Sequence, residues 1–191
     1  MELSWPLPHR TDLRDQLLAA YTAPDRGYHD ATHLSEVLRR LEELEAVDDT
    51  EVVLAAWYHD AVYSRADDDE ERSAQLAEKQ LSEESSVDAA EVARLVRLTC
   101  GHDPLPGDFR GAVLSDADLA ILASPPDRYE EYVAGVRAEY AHLPEDVFQT
   151  ARGAVLRTLL AKEFLFGSDH ARRHWEPIAR ANIARELGGL G

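Results

Sequence analysis

Cysteine is all but missing: Cys100 is the one thiol in 191 residues, so no disulfide can close within the chain, and the cytoplasm is its expected address. Long apolar runs are missing too. The longest, Val52 to Tyr58, is far short of the about 18 residues a membrane span needs. The opening MELSWPLPHR has neither a basic start nor an apolar stretch, so no secretory leader is expected. Positive charge is scarce: 20 Lys and Arg face 37 Asp and Glu, for a formal net charge of −17. A field of that sign repels DNA, RNA and anionic membranes, which excludes a nucleic-acid polymer and a membrane as expected partners. Small anions stay open, because a bound cation inverts the field locally. The acidity is uneven: from Arg152 to Gly191 seven basic residues face four acidic ones. Strand signals are also lacking, with no alternation of period two and no Asn-Gly hairpin turn.

What is present reads as helix. A hydrophobic fraction of 45% with 30% charged residues is the balance of a globular protein, and the length suits one domain over residues 1–191. Thr11 starts a helix to about Ala20. A second begins near Asp30, with Leu34, Val37, Leu38, Leu41 and Leu44 on one face. Thr50 caps a third over residues 51–63, apolar nearly all round and hence central. A fourth follows the acidic start Asp67–Glu71, and Ser86 caps a fifth. Gly101, Pro104, Pro106 and Gly107 mark a loop. Helices follow over Leu114–Leu122, from Pro125–Pro126, from Pro144 through Leu160, and from a Ser168 cap towards Leu187 with a kink at Pro177. The expectation is a single-domain all-α bundle of about eight or nine helices.

Against that apolar background some residues stand out. His59-Asp60 sits in the most hydrophobic segment, where a carboxylate is costly unless paired or bound to a cation. His29 and His33 are one helical turn apart at a helix entry. Asp116-Ala117-Asp118 precedes the apolar stretch Leu119–Leu122. Two imidazoles with carboxylates from separate helices form a set that zinc, manganese or iron accepts. Each residue taken singly also fits a hydrogen-bonded core position, and Asp116-Ala117-Asp118 also fits a helix cap. His170 and His174 repeat the spacing among arginines, which reads as a surface pair.

Together, His33, His59-Asp60 and Asp118 resemble the H…HD…D signature of the HD-domain superfamily of metal-dependent phosphohydrolases. The segment from Tyr28-His29 through His33 to Val37 is similar to one in cyclic-nucleotide phosphodiesterases, where the first histidine donates a proton and the second binds metal. A small bacterial family of predicted HD phosphohydrolases is more similar still. The likeness runs through Arg26, Tyr28-His29, His33, Ala56 to Asp60, Tyr63, Glu70, Ser73-Ala74, Thr99, His102 and Asp116 to Leu119. It continues through Tyr129, Tyr132, Arg137, Glu139-Tyr140 and Arg152. Asp69 departs from the pattern, standing where the family has asparagine.

The resemblance implies an HD-type fold and a divalent ion (manganese, zinc, iron, cobalt, nickel or magnesium) held by His33, His59, Asp60 and Asp118. Asp116 is then a supporting or loop-ordering residue. The implied activity is hydrolysis of a small phosphorylated molecule, such as a nucleotide, by hydroxide that the ion makes available at neutral pH. His29 would donate a proton to the leaving oxygen, or else orient a ligand. Glu70 would hold or deprotonate the attacking water. His102, Asp116 and Arg26 are candidates for substrate or a second metal, Arg26 because guanidinium matches phosphate geometry. Two other readings are a non-catalytic metal- or ligand-sensing module and a di-iron oxygenase, which needs further ligands. Cys100 is expected as a small core residue.

Overall fold

The computed structural model describes residues 3–190 and is helical, with no strand among them. In chain order the helices are α1 (Thr11–Tyr21), α2 (Ala31–Glu43), α3 (Thr50–Tyr58), α4 (Asp69–Leu81), α5 (Ala89–Leu98) and α6 (Phe109–Leu119). One turn of 3-10 helix (Ala120–Ala123) leads to α7 (Pro126–Glu139), α8 (Glu145–Ala161), α9 (Asp169–His174) and α10 (Glu176–Gly189). The all-α expectation holds. Among the described residues the count is ten because the last segment is two helices: Trp175 ends α9, and Pro177 lies in the first turn of α10, where it needs no N–H partner.

Helix α3 is the hub. Val52 through Tyr58 are all buried, because every face of this helix meets a neighbour: α2, α4, α5 and α6 pack around it. Each large apolar side chain buried there contributes about 1.5–3 kcal/mol. The helix ends at Tyr58 instead of running to Tyr63. Beyond that point tertiary partners take the backbone donors. Asp60 N–H goes to the Tyr21 hydroxyl (3.2 Å) and Val62 N–H to the Ser73 hydroxyl (3.0 Å).

Acidic caps set several other ends. Asp30 accepts from the N–H groups of Thr32 and His33 and opens α2 where expected. Asp49 and Asp88 displace the expected caps Thr50 and Ser86, each accepting first-turn N–H groups; a short carboxylate both bonds those donors and complements the helix dipole. Helix α6 starts earlier than Leu114 because Asp108 caps it through Gly111 N–H. A Cβ at Gly111 would run into the Asp108 carboxylate. Ser168 caps α9 as expected, through Ala171 N–H. No helix among the described residues is long and apolar enough to cross a membrane.

Candidate metal centre

Three helix ends bring four polar side chains to one point. The Asp30 cap fixes the first turn of α2 and with it His33. His59 and Asp60 follow directly on α3, and Asp118 lies in the last turn of α6. These helices pack on one another pairwise, so residues distant in sequence meet. His33 Nε2 and His59 Nε2 are 3.0 Å apart. An Asp60 Oδ2 oxygen lies 3.5 Å from the first and 3.2 Å from the second. Asp118 Oδ1 lies 3.2 and 3.6 Å from the same two nitrogens. Both histidines are buried. His33, His59 and Asp60 each offer an atom to a common point suited to a metal ion.

The hydrogen bonds around the cluster explain its orientation. His59 Nδ1 donates to the Ala56 carbonyl at 2.8 Å, which leaves Nε2 as the inward-facing ligand atom. Asp60 Oδ2 is buried and makes no hydrogen bond; in the ion-free chain the facing His59, 3.2 Å away, offsets its charge, the place a divalent cation would take. Two imidazole nitrogens and two carboxylates form a donor set that suits a divalent transition metal. In the ion-free chain, burial opposes charge on His59, but Asp60 and Asp118 outweigh it and push its pKa up to about 10. Burial likewise opposes charge on both aspartates. The facing histidines, His59 foremost, nevertheless hold the Asp60 and Asp118 carboxyls far below the usual range.

A second polar unit adjoins the first. Glu139, in the last turn of α7, has a fully buried side chain. Its Oε1 accepts from the N–H groups of Gly27, Tyr28 and His29 at 2.9, 2.8 and 3.0 Å. Its Oε2 accepts from His29 Nδ1 (2.9 Å) and the Tyr63 hydroxyl (2.8 Å). The Tyr63 ring stacks on His29 at 4.5 Å. Two glycines let α7 approach: a Cβ on Gly27 would meet the Gly135 carbonyl, and one on Gly135 would lie 2.8 Å from the Gly27 carbonyl. Burial opposes charge on His29, yet Asp60 and Glu139 raise its pKa above 6.5. Burial alone would raise Glu139, but the bonds it accepts from His29 bring it down to about 2.

The remaining candidates separate. Glu70 lines a cleft of about 350 Å³ together with Asp60, Tyr63, Arg65, Cys100 and Tyr140. Burial, then the neighbouring Asp60, raises its pKa. His102 is held at φ 52°, with Nδ1 3.1 Å from Ser115 Oγ and Nε2 3.6 Å from Asp118 Oδ2; burial lowers its pKa. Asp116 turns away from the cluster and accepts from Gly167 and Ser168 N–H at 2.6 and 2.8 Å, so it orders the loop before α9. Arg26 is committed as well. It donates to the carbonyls of His29 (2.6 Å) and Asp60 (2.8 Å) and packs over the Tyr21 and Tyr63 rings. It braces the backbone of the centre and is no phosphate clamp. Cys100 is exposed, contrary to its expected core position, because the chain turns out of α5 there. His170 and His174 are exposed, as read from their arginine neighbours.

No family model, no curated protein and no solved structure matches the chain. The chemistry of the centre is therefore carried by its own geometry.

Two residues to which the sequence reading assigned no role emerge from that geometry. Glu139 stands within the family likeness but carries no local sign of its role, because its partners are more than 75 residues away in sequence. Arg65 reads as an ordinary surface cation, yet it sits at φ 66° in the wall of the cleft. A second cavity, about 60 Å³, is lined by Tyr28, His33, Glu36, Asp118, Ser124 and Arg128 among others. The buried Tyr28 hydroxyl has no hydrogen-bond partner.

Proposed function

We propose that the chain is a metal-dependent phosphohydrolase of HD type acting on a small phosphorylated molecule. The observation that carries this reading is the buried Asp60 Oδ2, which makes no hydrogen bond, facing two imidazole nitrogens 3.0 Å apart, a constellation that a divalent cation completes. His33, His59, Asp60 and Asp118 would hold that ion, which supplies Lewis acidity toward a phosphoryl oxygen and lowers the pKa of water to about 7. His29 keeps its proton at Nδ1 against Glu139, so Nε2 is the nitrogen left to protonate a leaving oxygen. Its raised pKa keeps the ring cationic nearer neutrality than an ordinary histidine. Glu70, half-buried in the cleft wall with Asp60, is the base that takes a proton from the attacking water.

One feature favours a second reading, the di-iron oxygenase. His102 Nε2 lies within 3.6 Å of Asp118 Oδ2, where a second ion would find its first ligands. Metal analysis of the purified chain and anomalous scattering at the centre separate the two. Turnover is then assayed with added Mn²⁺ on a panel of nucleotides and an aryl phosphate. The phosphohydrolase reading expects metal bound at the centre and phosphate release that Asp60→Ala abolishes. Two irons with no phosphate release favour the oxygenase, and hydrolysis retained in Asp60→Ala refutes the proposed centre.

A further inference from the structure

Arg65 occupies a backbone conformation that an L side chain adopts only at a cost, φ 66°. Such strain persists where surrounding bonds over-determine it, and here Asp69 does so from both sides. Its carboxylate accepts from Ser64 N–H (2.6 Å), Ser64 Oγ (2.7 Å) and Ala66 N–H (3.1 Å). The residues before and after Arg65 are thus pinned while its own side chain is left largely unspent. The Arg65 guanidinium has only a long 3.3 Å bond to the Asp25 carbonyl and a 3.9 Å approach to the exposed Asp25 carboxylate. Arg26, by contrast, donates to two carbonyls at 2.8 Å or less.

The charges around the cleft give the position meaning. Among the described residues that line it, Arg65 is the one cation, against the carboxylates of Asp60, Asp67, Asp69 and Glu70. An anionic ligand entering this cleft finds one guanidinium, whose planar fork suits a phosphate. In the ion-free chain a second phosphate would meet the carboxylates of Asp67 and Glu70 with no other cationic side chain lining the cleft. The rest of the wall includes Tyr63, Tyr140 and Ala66, surfaces for an uncharged body.

We propose that Arg65 is the anion-binding residue of this cleft, held in a strained conformation by Asp69, and that it selects a small ligand bearing one phosphate over polyphosphates. The ligand class rests on the phosphohydrolase reading; the role of Arg65 as an anion site does not. The test uses the full chain with a chelator and no added metal, with inorganic phosphate and pyrophosphate as calorimetric probes. Wild type binds phosphate, and pyrophosphate binds no tighter. Arg65→Gly weakens phosphate binding at least tenfold while leaving the unfolding midpoint unlowered, because glycine takes positive φ without strain. Arg65→Asn, which also tolerates that region, behaves the same way.

Unchanged phosphate affinity in both variants, or tighter binding of pyrophosphate, overturns the proposal. An aryl phosphate assayed in parallel with added Mn²⁺ keeps the two readings apart. Phosphate held through Arg65 without turnover leaves this site standing and removes the hydrolase. Turnover with KM unmoved by Arg65→Gly does the reverse. A wild-type chain that neither binds phosphate nor hydrolyses the ester removes both.

Discussion

Glu139 ties three segments together through one carboxylate, and its replacement has a magnitude that can be worked from the structure. Glu139→Gln keeps a carbonyl for the N–H groups of Gly27, Tyr28 and His29 but turns an amide N–H₂ toward two donors, His29 Nδ1 and the Tyr63 hydroxyl. Losing two hydrogen bonds to a charged acceptor costs about 1.5–3 kcal/mol each. The carboxyl's depression from 4.5 to about 2, which the same His29 bond largely causes, is of the same order, roughly 3 kcal/mol. An expected loss of about 3 kcal/mol is large against a total stability of about 5–15 kcal/mol. The pH dependence has a definite sign. Glu139 is lowered, so its contribution is present above pH 4.5 and fades as pH falls towards 2. His29 is raised, so its contribution is full below pH 6.5 and fades as pH rises through its higher folded value. The wild-type advantage therefore peaks between pH 4.5 and 6.5. Urea unfolding of both proteins across a pH series measures it. A difference under about 0.5 kcal/mol, or one that grows as pH drops below 4, refutes the reasoning.

Three further outcomes are expected. Gly135→Ala brings a Cβ within 2.8 Å of the Gly27 carbonyl and destabilises by about 1–3 kcal/mol, as overpacking does, measured by thermal unfolding. A divalent ion that occupies the centre raises stability by about 2.7 kcal/mol at a hundred times its dissociation constant; a chelator reverses this, and Asp60→Ala shows no such shift in calorimetry. Exposed Cys100 reacts with one equivalent of a thiol reagent in the folded chain, and Cys100→Ser changes stability by no more than about 0.5 kcal/mol.

Periodicity made most of the helices legible, because amphipathic spacing and prolines are local signals. Asp30, Pro126 and Ser168 mark helix starts in the sequence as they do in the fold. The end of α3 was not legible. Residues 59–63 carry a helical pattern, and only the distant Tyr21 and Ser73 hydroxyls draw their N–H groups out of the helix. Asp108 was masked by the glycine and prolines before it, so the sequence places the start of α6 too late. At the centre, His33, His59, Asp60 and Asp118 stand out as polar residues where a core should be dry. Arg26 illustrates the limit: its sequence neighbourhood suggests phosphate, and the backbone carbonyls that consume its donors lie partly 34 residues away.

Helix α6 joins two distant parts of the molecule within a single turn. Asp118 reaches inward to His33, while Asp116, two positions earlier, anchors the backbone at Gly167 and Ser168. The seating of the final helices is thus mechanically linked to the placement of one carboxylate. A displacement of that C-terminal segment acts on the same turn that presents a carboxylate to the cation site.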